Sequence, residues 1–171
     1  VVLIAVGTPT REGEDAAEHI ARKYGASPAQ LAQTREALRQ RGAELGFEFG
    51  ARARVWNTFD AHRLLHWAGL EGRQAELKHA LLKAYHQDGL DPGKLEVLLP
   101  LCAAAGLDGQ RAREILQGDE FAEAVRESER YYQERGITAV PSVIIDDKHL
   151  IQGGQPPEAF EAALRKLATP N

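Results

Sequence analysis

The chain has 171 residues, 43% of them apolar and 27% charged, with a formal net charge of −4 at pH 7. That length and balance suit one packed domain, or one domain carrying an insertion, and exclude disordered and collagen-like chains. Acidic and basic residues alternate without forming a basic stripe that could neutralise a phosphate backbone, so the sequence predicts no nucleic-acid partner.

In chain order, Val1 to Val6 is a short β-branched run that stops at Gly7-Thr-Pro9 and reads as a buried strand. It is too short to span a bilayer and lacks the flanks of a signal peptide, which predicts no membrane partner and a cytoplasmic location. The single cysteine, Cys102, fits the same reducing compartment. With no methionine anywhere, position 1 included, the start does not read as a natural one.

A helix is predicted from Glu14 to Tyr24, stopped by Gly25. Ser27-Pro28 then supplies an N-cap and a first-turn proline for a second helix to about Leu45. Leu31, Thr34, Leu38 and Leu45 give that helix one largely apolar face. Asn57 or Thr58 can cap a third helix ending at Gly69, and a fourth runs from about Glu71 to Gln87. Asp91-Pro92 opens a fifth toward Ala105, with a kink or break expected at Pro100. Gly106 stops it, and Asp108 caps the next. The last helix of this block lies between Gly118-Asp119 and Gly136. The period then changes: Ser142 to Ile145 and His149 to Ile151 form a β-hairpin about Asp146-Asp-Lys148, followed by a helix from Glu158 to about Ala168.

Several features carry little chemistry of their own. Cys102 sits in the apolar stretch Leu98 to Ala105 and reads as a buried structural thiol. His62 and His66 share a helix face but are two ligands without a third, so no metal site is predicted. Asp146 and Asp147 read as turn residues, and Gly153-Gly154 lacks the spacing of a phosphate loop.

The stretch Gly136-Ile-Thr-Ala-Val-Pro141-Ser-Val-Ile-Ile145 resembles the proline loop and strand of thioredoxin-fold proteins. The blocks Asn57-Thr-Phe-Asp-Ala-His62-Arg-Leu-Leu65 and Ile151-Gln-Gly-Gly-Gln-Pro-Pro157 are similar to the FrnE-like branch of the DsbA family, related to 2-hydroxychromene-2-carboxylate isomerases and kappa-class glutathione transferases. The likeness covers about residues 11 to 168. It implies a thioredoxin-like α/β fold with a large all-helical insert: residues 1–10 and 136–171 form the thioredoxin-like part, and 11–135 the insert and connecting helices. It also implies a cis Val140–Pro141 bond, a thiol or disulfide substrate (protein or glutathione), no cofactor, and substrate contacts from Val140, Pro141, Asn57, His62 and Arg63.

The family's opening strand, Cys-x-x-Cys turn and helix have no counterpart in these residues. Dithiol exchange needs an attacking thiolate and a resolving sulfur, and one cysteine cannot supply both. The expectation is therefore a truncated thiol-disulfide oxidoreductase or isomerase with no catalytic residue of its own, prone to self-association through sheet surface left uncovered. The alternatives are a glutathione-dependent isomerase or transferase of the same fold, and a non-catalytic peptide- or thiol-binding module.

Overall fold

The computed structural model describes residues 12–51, 54–137 and 141–168. The chain forms two compact units, the first ending at Glu127 and the second beginning at Ser128. The expected strand Val1 to Val6 lies outside the described residues.

The first unit opens with a small antiparallel pair, β1 (Glu14–Asp15) with β2 (Arg54–Val55), in the register Glu14 to Val55. The predicted first helix begins two residues later than expected, as α1 (Ala16–Tyr24), because the Asp15 carboxylate accepts hydrogen bonds from the Ala17 and Glu18 amides at 2.8 and 2.9 Å. Helix α2 (Pro28–Glu44) starts as predicted, with a capping box in which Ser27 and Gln30 satisfy each other's amides. Its apolar face is not a core face, however: Leu31 and Gly42 are its buried residues, whereas Leu38 is 51% and Leu45 85% exposed. The leucine spacing is helical, but in the second half of the stripe Phe47 and Phe49 lie against Gly42 while Leu38 and Leu45 stay exposed.

The core lies among α3 (Phe59–Leu70), α4 (Gln74–His86), α5 (Leu95–Ala104) and α6 (Gly109–Gln117). Leu64, Leu77, Leu98 and Ile115, one from each helix, are fully buried there. Helix α5 runs through Pro100 unbroken. The proline is exposed, and the carbonyl it leaves without a helical donor belongs to exposed Glu96, where water can serve it. Three helices end in one device. Gly72, Gly106 and Gly136 take φ values of 68°, 77° and 77°, and the following amides of Arg73, Leu107 and Ile137 return to the carbonyls of Ala68, Cys102 and Tyr132. This is the Schellman termination that a left-handed glycine permits. It carries α3 one residue past Gly69.

A buried cation fastens this unit. Arg63 of α3, 4% exposed, donates Nε to the Glu120 carbonyl at 2.9 Å, Nη1 to Asp60 at 2.9 Å, and Nη2 to the carbonyls of Gly118 at 2.8 Å and of Ile115. Those carbonyls are the end of α6 and the turn leading into α7 (Ala122–Glu134), where a cation is favoured by the helix dipole. The turn holds Phe121 at φ 62°, a conformation that costs a bulky residue free energy and persists only where its surroundings fix it.

In the second unit, β3 (Ser142–Ile145) pairs antiparallel with β4 (His149–Gln152), Val143 opposite Ile151 and Ile144 opposite Leu150. Asp146 and Asp147, both at φ 52°, lie in the three-residue turn 146–148, where the Lys148 amide donates to the Ile145 carbonyl at 3.2 Å. Val143 and Leu150, on opposite faces, are both exposed. Helix α8 (Pro157–Ala168) follows and buries none of its side chains among the described residues.

Removing the clamp should matter more than removing its carboxylate partner. We predict that Arg63→Ala lowers unfolding free energy by roughly 2–5 kcal/mol, since it strips donors from three carbonyls, while Asp60→Ala costs under about 1 kcal/mol because that carboxylate is part-exposed. Urea denaturation of both variants checks the order, and equal losses would show that the carbonyl contacts contribute nothing.

Candidate functional site

Two stretches carry the predicted substrate residues, one in each unit. In the first, the start of α3 is organised by Asn57, whose Oδ1 accepts the Phe59 amide hydrogen bond at 2.9 Å. Thr58 occupies the cap position without a side-chain bond, so of the two candidate caps Asn57 does the capping. Its amide nitrogen has no partner among the described residues. His62, half-buried one turn further on, points Nδ1 at the Thr58 carbonyl, 2.7 Å away. A carbonyl only accepts, so Nδ1 carries the proton and Nε2 is a lone-pair acceptor. That Nε2 is screened from solvent and has no partner among the described residues. Burial lowers the His62 pKa below the ordinary imidazole range, with the Thr58 hydrogen bond opposing the shift.

Arg63, expected to face substrate, is instead turned into the protein by the bonds described above. Four of its five N–H groups are engaged with protein acceptors. Nothing in the local sequence announces this, because its carbonyl partners lie 52 to 57 residues away. His66 does not join His62 on a common ligand: it lies against the Phe121 ring at 5.2 Å between centroids. No group of three or more metal-binding side chains occurs among the described residues. Arg126 of α7 sits 5.0 Å over the Phe59 ring.

In the second unit, Val140 and the Val140–Pro141 bond lie outside the described residues. Pro141 is exposed, and its carbonyl accepts the Gly153 amide at 2.9 Å. Gly153 thus ties the chain leaving β4 to the residue entering β3. The Tyr132 hydroxyl, near the end of α7, has a raised pKa, chiefly from desolvation, with the charges of Tyr131 and Asp147 acting in the same direction.

The one sulfur is remote from exchange chemistry. Cys102 is 0% exposed in the α3–α6 core, and burial pushes its pKa up to about 11. A thiolate there would be an unpaired charge in an apolar setting.

A helical block followed in the chain by Pro141, a β-hairpin and a terminal helix is the make-up of a helix-rich α/β protein of the thioredoxin-like class. The chain belongs to the DSBA-like thioredoxin domain family, whose sequence profile matches residues 5–165. It is similar to a solved chain from Streptomyces coelicolor, described as a probable DsbA oxidoreductase, with a TM-score of 0.79 and 31% identity over 92% of this chain and 70% of that one. A candidate protein disulfide isomerase from Nitrosomonas europaea shares the fold at a TM-score of 0.66 and 19% identity, covering 88% of this chain and 86% of that one. An uncharacterised Bacillus subtilis (strain 168) protein, YwbO, is 29% identical over 100 residues, 58% of this chain and 50% of YwbO. The chain thus spans about half the length of that curated relative.

Two outcomes follow. A thiol reagent such as 5,5′-dithiobis(2-nitrobenzoic acid) should label Cys102 negligibly in the folded protein and stoichiometrically in 6 M guanidinium on the order of seconds to minutes; rapid labelling of the folded form would place this sulfur at the surface. His62 should make stability pH-dependent. Its folded pKa lies below the unfolded value of about 6.5, so the unfolded chain binds more protons as pH falls through that value. The contribution of neutral His62 is present above about pH 6.5 and declines below it, so the stability difference between wild type and His62→Asn should shrink from pH 7.5 to pH 5. A difference that stays constant would refute the buried neutral ring.

Proposed function

We propose that this chain is the substrate-holding part of a FrnE-like thiol-disulfide oxidoreductase or isomerase, and that the dithiol performing exchange is not among these 171 residues. The observation that carries the reading is the pairing of family membership across residues 5–165 with a single cysteine sealed in the helical core. A DSBA-like domain acts on thiols and disulfides, and exchange proceeds by thiolate attack followed by resolution through a second sulfur. Cys102 is unsuited to the first step and has no partner for the second.

What these residues offer instead is contact. In the second unit exposed Pro141, leading directly into β3, is suited to backbone pairing with an extended substrate, and the resemblance adds Val140 before it. In the first, the Asn57 amide nitrogen and His62 Nε2 at the start of α3 have no partner among the described residues. None of the described helices is long and apolar enough to cross a membrane.

The test pairs turnover with binding. Insulin reduction and refolding of a scrambled disulfide substrate should stay at background for both wild type and Cys102→Ser, while a reduced cysteinyl peptide should shift the amide resonances of Asn57 and Ser142. Turnover lost in Cys102→Ser would overturn the assignment of that sulfur, and turnover retained would reveal a different chemistry. A peptide that moves no resonance would remove the substrate-holding role.

A further inference from the structure

Each unit leaves an apolar helix surface uncovered. In the first unit Leu38, in the middle of α2, is 51% exposed, and Leu45 at its C-terminal end is 85% exposed. Phe47 and Phe49 lie against Gly42 of that helix and leave both leucines open. Leu31, Leu38 and Leu45 recur every seven residues, the spacing of a seam between two helices, and only Leu31 is buried. In the second unit an open groove runs along α8, lined by Gln155, Pro157, Phe160, Glu161, Leu164 and Arg165, with Leu164 52% exposed.

The charges beside these two surfaces are opposite. Leu38 has Arg35 three residues before it and Arg41 three after, which on a helix sets a guanidinium on either side of the leucine. Glu36 is taken up by Arg39, and Glu44 stands about 120° round the helix from Leu38, so the flanks of the leucine stripe are positive. On α8, Leu164 is preceded at three-residue steps by Glu161 and Glu158. Glu161 bonds Arg165, but both are well exposed, and such a pair exchanges partners at little cost. Laying α2 on α2 would set arginine against arginine, whereas laying it on α8 sets arginine against glutamate. An anionic bilayer suits α2 less well, because a stripe one residue wide buries little apolar area and the chain as a whole carries −4.

We infer that α2 of one copy of this chain docks in the α8 groove of a second copy. Leu38 and Leu45 enter beside Phe160 and Leu164, while Arg35 and Arg41 face Glu158 and Glu161. The two faces are different surfaces, so the contact is heterologous: it closes reciprocally in a pair or continues from copy to copy as a chain. One helix on one open groove lies at the small end of specific interfaces, which sets the dissociation constant on the order of 10–100 µM. The contact is independent of the substrate-holding role.

The experiment is sedimentation velocity of the full chain from about 5 µM to about 500 µM, a range that brackets weak specific association. The wild type should sediment faster as concentration rises, and added salt should weaken the effect. Two variants each remove one face at exposed positions, with circular dichroism checking that the helices persist. Leu38→Gln with Leu45→Gln strips the α2 face and keeps helix-forming residues; Leu164→Lys sets a cation in the α8 groove. Each variant alone should bind its own kind at least about tenfold more weakly than the wild type does. Mixed in equal amounts they should form a one-to-one pair, because the mixture retains one intact α2 and one intact α8. A wild type that stays monomeric throughout would overturn the docking. So would a Leu164→Lys chain that associates like the wild type, which would move the contact to another surface such as the hairpin, or a mixture of the two variants that remains monomeric.

Discussion

The guanidinium of Arg63 is the fixed point from which the rest of the helical unit can be understood. Burying a cation is unfavourable unless its donors are met, and here they are met by one carboxylate and by three main-chain carbonyls at and beyond the end of α6. The planar fork of arginine matters: it reaches several acceptors at once, which a lysine ammonium on its flexible stem does not reproduce. By bonding Gly118 and Glu120, the side chain holds the turn in which Phe121 is kept at positive φ, and so sets where α7 begins. Helix α3 is thereby locked in axial register, and Asn57 and His62 at its start inherit that placement.

The treatment of sulfur is a second consequence of the same core. Cys102 lies on the face of α5 that meets the neighbouring helices, where its thiol acts as a small apolar group. Desolvation by burial raises its pKa. The chain thus shares the DSBA-like scaffold while its one sulfur is sealed in the helical core.

Much of the fold was legible because it is encoded over a few residues. Ser27-Pro28 with Gln30, Asp108 with its following turn, Gly106 and Gly136, and the Asp146-Asp147 turn are local signals, and each sits where the sequence put it. The apolar stripe of α2 misled because periodicity reports which side of a helix is apolar, not whether anything covers it. Pro100 misled because α5 continues through it, with the carbonyl it orphans, that of Glu96, open to water. Arg63 was picked out from its neighbourhood in the motif, but its role depends on carbonyls more than fifty residues away, and no local pattern encodes those. The same applies to His62: its helix was readable, while the direction of its two ring nitrogens became visible only in three dimensions.

Helix α2 carries the remaining consequence. Seventeen residues long, it extends about 25 Å at the usual rise of an α-helix, yet only Leu31 and Gly42 are buried. Its order comes chiefly from local bonds, the Ser27 box and Glu36 held by Arg39 and Gln40, with Phe49 lying against Gly42 near its end. Such local bonds are individually weak and fray together. The helix therefore forms an opening unit of low protection, separable from the α3–α6 core. Its amides exchange with solvent long before those of α3, and its three exposed arginines, Arg35, Arg39 and Arg41, make it the segment where trypsin first cuts a chain whose core is still folded.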